Sequence, residues 1–377
     1  MRILLKAALA MTDDAPVKNV YIGVNGEMIE VISREQPEDY ENAELSIGGN
    51  NRIVSPGFVS LQTFLSLYPF RYRIFSGKVN VNDLISVMND KDFYYFSLLA
   101  SYHLLKTGVT TVVVADPEPE HSARAVNAVG LNPLLAVSAG CSWAKGDWKK
   151  EFKTLYSRWS TSEENKVLLR LCDEGEAEEV FGISREYKVP VLVERSVDLS
   201  RFKDIPKNVI ALGGASRKDF ELVKKAGIQL SFTPTYEVCK FTLGALKPSI
   251  SLDISPKYDI RSELSYATSR LLLTPEEAFK SATKWGYSQL GINVALKVGS
   301  VGDIVVFELT EPPSYPLDLD SPYESLVYSS YTVETSIVKG EVVLDGGVAL
   351  NVGTKDVEEA QERIEEVDEK YRNMEKN

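Results

Sequence analysis

Acidic side chains gather where apolar runs end. Asp116 follows Val109-Thr110-Thr111-Val112-Val113-Val114-Ala115, Cys172-Asp173-Glu174 follows a run over 166–171, Glu194 follows Val191-Leu192-Val193, and Asp253 follows Ser249-Ile250-Ser251-Leu252. Carboxylates at such places can supply an all-oxygen shell to a hard cation such as magnesium or manganese. Arg195 and nearby lysines can equally neutralise the same acids, leaving only a charged rim. Nucleophilic chemistry has less support, because no histidine stands near Cys141, Cys172 or Cys239 and no Gly-x-Ser-x-Gly elbow occurs. The two histidines, His103 and His121, fall on or beside segments expected outside the core, and both read as structural or exposed.

The elements that must carry these acids alternate. Strands are expected at 53–61, 109–115, 133–138, 166–172, 189–194, 208–213, 228–232 and 249–253. Helical periodicity occupies 81–106, 120–129, 147–158, 176–187, 216–226, 259–271 and 275–289. Eight strands alternating with helices predict a (β/α)8 TIM-like barrel, and the acids then stand at strand ends. An open doubly wound sheet is the alternative, although no glycine-rich dinucleotide fingerprint follows an early strand. Thr274-Pro275-Glu276-Glu277 and Ser216-Arg217-Lys218-Asp219 read as helix starts.

Both ends of the chain are β-rich. Apolar runs flank Asn25-Gly26, a strong hairpin signal, and the pattern returns around Lys339-Gly340. These ends are expected to pair into one small β-sandwich domain over 1–52 and 299–350, with the barrel over 53–298. Pro312-Pro313-Ser314-Tyr315-Pro316 marks a loop between its strands. In 353–377, Val357, Ala360, Ile364, Val367, Tyr371 and Met374 recur three and four apart, predicting an amphipathic helix that docks on its own barrel or on a second copy.

The 377 residues suffice for one large barrel and an accessory domain, and the net charge of -12 argues against nucleic acid or an anionic membrane as partner. A small molecule in the barrel mouth or a protein partner fits better, with a homo-oligomer as a further expectation. Three cysteines without paired spacing suggest a reducing, cytoplasmic setting. The start, Met1 to Met11, has an Arg and apolar residues like a short signal peptide, but Lys6 interrupts it and a first strand is the reading taken.

The segment Pro56-Gly57-Phe58-Val59-Ser60-Leu61-Gln62-Thr63-Phe64 resembles the first barrel strand of the amidohydrolase superfamily, Pro-Gly-Phe-x-Asp-x-His-x-His. Thr107-Gly108-Val109-Thr110-Thr111-Val112, Leu273-Thr274-Pro275-Glu276-Glu277-Ala278 and Val298-Gly299-Ser300-Val301-Gly302-Asp303 are similar to later segments of its cytosine deaminase, chlorohydrolase and imidazolonepropionase-like branch. The resemblance implies a divalent metal held by histidines of strands one, five and six, and by a strand-eight aspartate that also serves as acid/base. Carried over, those positions read Gln62 and Phe64, Glu194, Leu212 or Gly213, and Asp253. Phenylalanine has no lone pair for a metal, and glutamine is a poor zinc ligand.

Two functional readings follow. In the first, the chain is a catalytically degenerate relative, a pseudoenzyme that binds rather than hydrolyses, with no cofactor. The resemblance leaves room for this, since the superfamily contains inactive dihydroorotase-like scaffolds. In the second, it is a hydrolase of non-peptide carbon–nitrogen bonds whose site is rewired around Asp253 and Glu194, with Zn, Mn or Mg bound if any metal is. Gln62, Phe64, Asp173, Glu174 and Arg195 are the expected substrate-side residues. The aromatic stretch from Leu67 to Phe75 is read either as a lid, with Phe64 plugging the metal position, or as plain packing.

Overall fold

The computed structural model describes every residue except Lys145, Glu311, Pro313 and Asn377, so one proline of the expected loop at 312–316 lies outside the described residues. Eight parallel strands follow one another in chain order: Phe58–Thr63, Val109–Val114, Asn132–Ala139, Val167–Leu171, Val191–Val193, Val209–Leu212, Gln229–Phe232 and Ser249–Ile250. The ring closes where Thr63 bridges Asp253 and the Leu252 N–H donates to Ser60 Oγ at 3.0 Å. This is the (β/α)8 barrel. Strands covered on both faces need apolar side chains throughout, which is why they read as Val- and Leu-rich runs rather than alternating ones. Val59, Leu61, Val113, Leu134, Leu192 and Ile210 fill the interior, and Leu290 and Val294 join the same cluster.

Several element boundaries depart from the sequence reading, each for a local reason. The single strand expected over 53–61 is two: Leu45–Pro56 pairs with Ile304–Glu308 in the second sheet, and the barrel strand begins at Phe58. Gly57 is the switch, because a Cβ there would lie 2.0 Å from Thr110 Oγ1. The helix expected over 81–106 breaks into Val81–Ser86 and Asp90–Leu105, since Asn89 opens a new capping box with Asp92. The one over 275–289 breaks into Pro275–Ser281 and Lys284–Leu290, the first started by Thr274 and Glu277 as a capping box. The helix expected from 216 starts only at Phe220, because Asp219 gives its carboxylate to Arg217 and to the Leu199 N–H instead of capping.

Both chain ends contribute to one eight-stranded sheet, built from four N-terminal strands, Arg2–Met11, Pro16–Asn25, Met28–Ser33 and Leu45–Pro56, and four C-terminal ones beginning with Ile304–Glu308. Its own apolar cluster includes Ile3, Leu5, Val20, Ile22, Val306 and Ile337. The Lys339-Gly340 turn has both residues at positive φ, 51° and 75°, the backbone a two-residue hairpin needs. Among the described residues, no helix is long and apolar enough to cross a membrane.

The tail forms the helix Thr354–Glu375, which packs on its own barrel. Val367 and Tyr371 enter a cluster with Phe64, Leu67, Phe70 and Phe96, and Arg363 reaches Asp92 at 3.1 Å. The Tyr371 hydroxyl accepts from the Asn80 N–H at 3.0 Å, and Arg73 pairs with Asp368. The apolar seam visible in the sequence is therefore used within the chain.

A Gly57→Ala substitution forces a methyl into Thr110, so we expect a loss of about 1–3 kcal/mol in urea unfolding, without loss of the barrel's far-UV signature. An unchanged midpoint would show that the two sheets do not depend on this close approach.

Candidate active site: a barrel mouth filled from within

The mouth is shaped first by a bulge. Ser60 pairs with Val112 and Thr63 with Val114, so the first strand carries one residue more than its neighbour between these points. An extra residue reverses the alternation of faces. Leu61 consequently fills the interior below, and Gln62 also turns inward and lines the mouth. The Asp253 N–H donates to Gln62 O at 2.8 Å and its carbonyl accepts from the Phe64 N–H at 3.2 Å, so strand one and the end of strand eight are stitched together at the mouth. Asp253 itself sits at φ 50°, an uncommon conformation that its short polar side chain tolerates.

One network occupies the centre. Arg170, 3% exposed, donates from Nε at 2.8 Å and from Nη2 at 2.6 Å to Glu194 Oε1, and Gln62 Nε2 donates to the same oxygen at 2.8 Å. The guanidinium carbon lies 4.8 Å from the Phe64 ring centre and 5.0 Å from that of Trp143, and the two rings meet edge-on at 5.7 Å. A cation held by a carboxylate and two ring faces is well compensated inside a protein. Phe64 is packed into the buried cluster with Leu67 and Phe70, so the aromatic segment after strand one packs around that ring as part of the core.

What remains is a cavity of about 20 Å3, lined by Arg195, Tyr236, Glu237 and Asp253 among others. That holds about one water molecule. Burial, and then the charge of Glu194, push the Asp253 carboxyl up to about 6. Burial pushes Glu237 up to about 7; its Oε2 accepts from the Thr233 N–H at 3.2 Å, while Oε1 has no hydrogen-bond partner in the protein. The Tyr236 hydroxyl donates to Ile254 O at 2.6 Å.

The remaining candidates stand elsewhere. Asp173 accepts from the Gly175 N–H at 2.8 Å and starts a short turn, and Glu174 accepts from the Asp198 N–H at 3.1 Å and pairs with Arg201; neither lines the mouth cavity. Asp116 is buried and accepts from the Leu65 and Ser66 N–H groups at 3.0 and 2.8 Å, which pins the segment after strand one. His103 reaches Lys257 O at 3.1 Å from an outer helix, and His121 lies 3.5 Å from Asp90. The cysteine reading is corrected: Cys141 and Cys172 are joined, with Cα atoms 5.0 Å apart. The parallel register that sets Ala139 beside Leu171 brings them together across 31 residues, a proximity that sequence spacing cannot reveal. The pair also removes the cysteine count as a sign of a reducing compartment.

Arg170, Glu237, Tyr236 and Trp143 were not anticipated. Arg170 left a trace, as the one charged residue within the apolar strand Val167–Leu171. Leu212 belongs to the interior cluster and Gly213 carries no side chain, at φ 68°. Beside them, Arg217 is buried and donates to the Val193, Glu194, Leu212 and Val197 carbonyls, so the ends of strands five and six are tied off by backbone hydrogen bonds.

Fold and mouth together define a TIM-barrel protein with a composite terminal sheet and a charged, closed C-terminal face. No family model matches the chain. It is 22% identical to a 5'-deoxyadenosine deaminase of Methanocaldococcus jannaschii over 93% of this chain and 99% of that one. A zinc-bound adenosine deaminase structure from Xanthomonas campestris superposes with a TM-score of 0.83 at 15% identity, covering 97% of this chain and 98% of that one. An amidohydrolase from a Sargasso Sea environmental sample superposes with a TM-score of 0.80 at 15% identity, covering 98% and 99%. Over nearly its whole length the chain is thus similar in sequence to deaminases and shares the fold of amidohydrolase structures.

A zinc centre does not fit the residues present. Phe64 and Leu212 offer carbon, and Gln62 and Glu194 are committed to each other and to Arg170, which leaves at the cavity the Asp253 and Glu237 carboxylates with no imidazole or thiolate beside them. Among the described residues, no three His, Cys, Asp or Glu side chains are grouped so as to hold a metal ion.

Two outcomes are expected. Arg170→Met leaves Glu194 without its counter-charge and should cost about 3 kcal/mol in chemical unfolding, with Glu194→Gln in that background recovering part of it. Asp253 keeps its proton to a higher pH folded than unfolded, so stability falls as pH rises from about 4 to about 6. Asp253→Asn should flatten that slope and stabilise the protein at pH 7 by on the order of 2 kcal/mol; an unchanged slope would refute the raised carboxyl.

Proposed function

We propose that this chain is a non-catalytic member of the amidohydrolase superfamily, which keeps the barrel and works by binding rather than by carbon–nitrogen hydrolysis. One observation carries the reading: the space where a hydrolase needs metal, water and substrate is taken by Phe64, Arg170, Glu194 and Gln62, leaving about 20 Å3. Drug-sized ligands occupy roughly 300–1,000 Å3. A nucleoside such as the relative's 5'-deoxyadenosine has no room unless the Arg170 network is dismantled, and that network is charge-paired, hydrogen-bonded and ring-stacked.

The alternative role for Asp253 as an acid/base is supported only by its raised carboxyl. It faces Glu194 and Arg170 rather than an open subsite. Binding is then expected at surfaces outside the mouth, to a small molecule or to a protein.

Elemental analysis of protein purified without chelator, together with an ammonia-release assay on 5'-deoxyadenosine, tests the reading. We expect substoichiometric transition metal and no release above background. One metal per chain that disappears in Asp253→Asn, accompanied by ammonia release, would sink it and restore the rewired hydrolase.

A further inference from the structure

A larger cleft borders the barrel's other end. Between the N-terminal ends of the barrel strands and the terminal sheet lies a cleft of about 760 Å3. Asn132 and Gln229 open the third and seventh strands there, while Lys188 and Lys207 precede the fifth and sixth, neighbouring strands in parallel register. Lys339, from the hairpin turn of the terminal sheet, closes one side and pairs with Glu164 at 2.9 Å.

This cleft is more than a gap between two packed units. Asn132 is 5% exposed, and its Oδ1, like Oε1 of Gln229, has no hydrogen-bond partner within the protein. Leaving a buried acceptor unpaired costs about 1–3 kcal/mol, so two such carboxamides, on strands three and seven at opposite sides of the barrel's end, call for donors from outside the chain. The described lining contains no aromatic ring, which disfavours a flat heterocycle held by stacking. Three lysines and four acidic residues line it, a near balance that gives no field for a strongly charged ligand. A hydroxyl group both donates and accepts, and so can meet carboxamides, ammonium groups and carboxylates alike.

We propose that this cleft is a binding site for a neutral polyhydroxylated small molecule of the monosaccharide or cyclitol kind. Its volume lies within the range of ordinary ligand pockets. The site is independent of the mouth, whose metal content and ammonia release its variants leave unchanged.

Saturation-transfer NMR on the full chain, with D-ribose, D-glucose and myo-inositol as probes, tests this. At least one should show transfer at millimolar concentration. Gln229→Ala should weaken it about three- to tenfold, the loss expected for one neutral hydrogen bond. Asn293→Trp, at an exposed position of the lining, fills the cleft without disturbing the core and should abolish it even if Gln229→Ala proves unstable. No transfer from any of the three, or transfer that persists in Asn293→Trp, overturns the proposal. So does binding of ribose 5-phosphate without ribose, which would mark an anion site instead.

Discussion

A guanidinium inside a barrel must find a carboxylate, and the rest of the mouth is arranged around that requirement. Arg170 rises from the fourth strand into a space bounded by apolar side chains, where an unpaired charge is severely penalised. Glu194 at the end of the fifth strand answers it, Gln62 on the first strand takes the same oxygen, and Phe64 and Trp143 cover the cation's faces. Four strand ends or following loops are thus fixed relative to one another by one side chain. The position where a metal would be approached is filled as a consequence.

That closure propagates outward. Phe64 packs with Leu67 and Phe70, Asp116 holds the Leu65 and Ser66 amides, and the C-terminal helix seats Val367 and Tyr371 on the same cluster. Trp143 lies two residues past Cys141, whose bond to Cys172 joins the loops after strands three and four. The mouth, the aromatic cluster and the tail form one continuous packed layer. On the opposite face polar side chains border a cleft of ligand size.

Much of this is legible in the sequence. The order of eight barrel strands, the pairing of the chain ends, the hairpins at Asn25-Gly26 and Lys339-Gly340, the capping box at Thr274 and the tail helix all follow from local chemistry. The site was legible only by its missing histidines. Gln62, Glu194, Arg195 and Asp253 do meet at one small cavity, whereas Asp173 and Glu174 are spent on local turns, because a carboxylate just past a strand can point into the barrel or away from it. The position of Gln62 depends on a one-residue bulge, and the cysteine bond on strand register; neither has a sequence signature.

Sequence by itself determined the barrel, because apolar runs, turn residues and caps act over a few residues and leave little choice of element. It also determined that the positions carried over for metal ligands on strands one, five and six hold no histidine, since folding does not change which residue stands at a position. Tertiary structure alone decided what stands there instead: Arg170, Glu194, Gln62 and Phe64 come from three separate strands and the segment that follows the first. Their mutual fit is a matter of distance and dielectric, and both exist only once the barrel has closed.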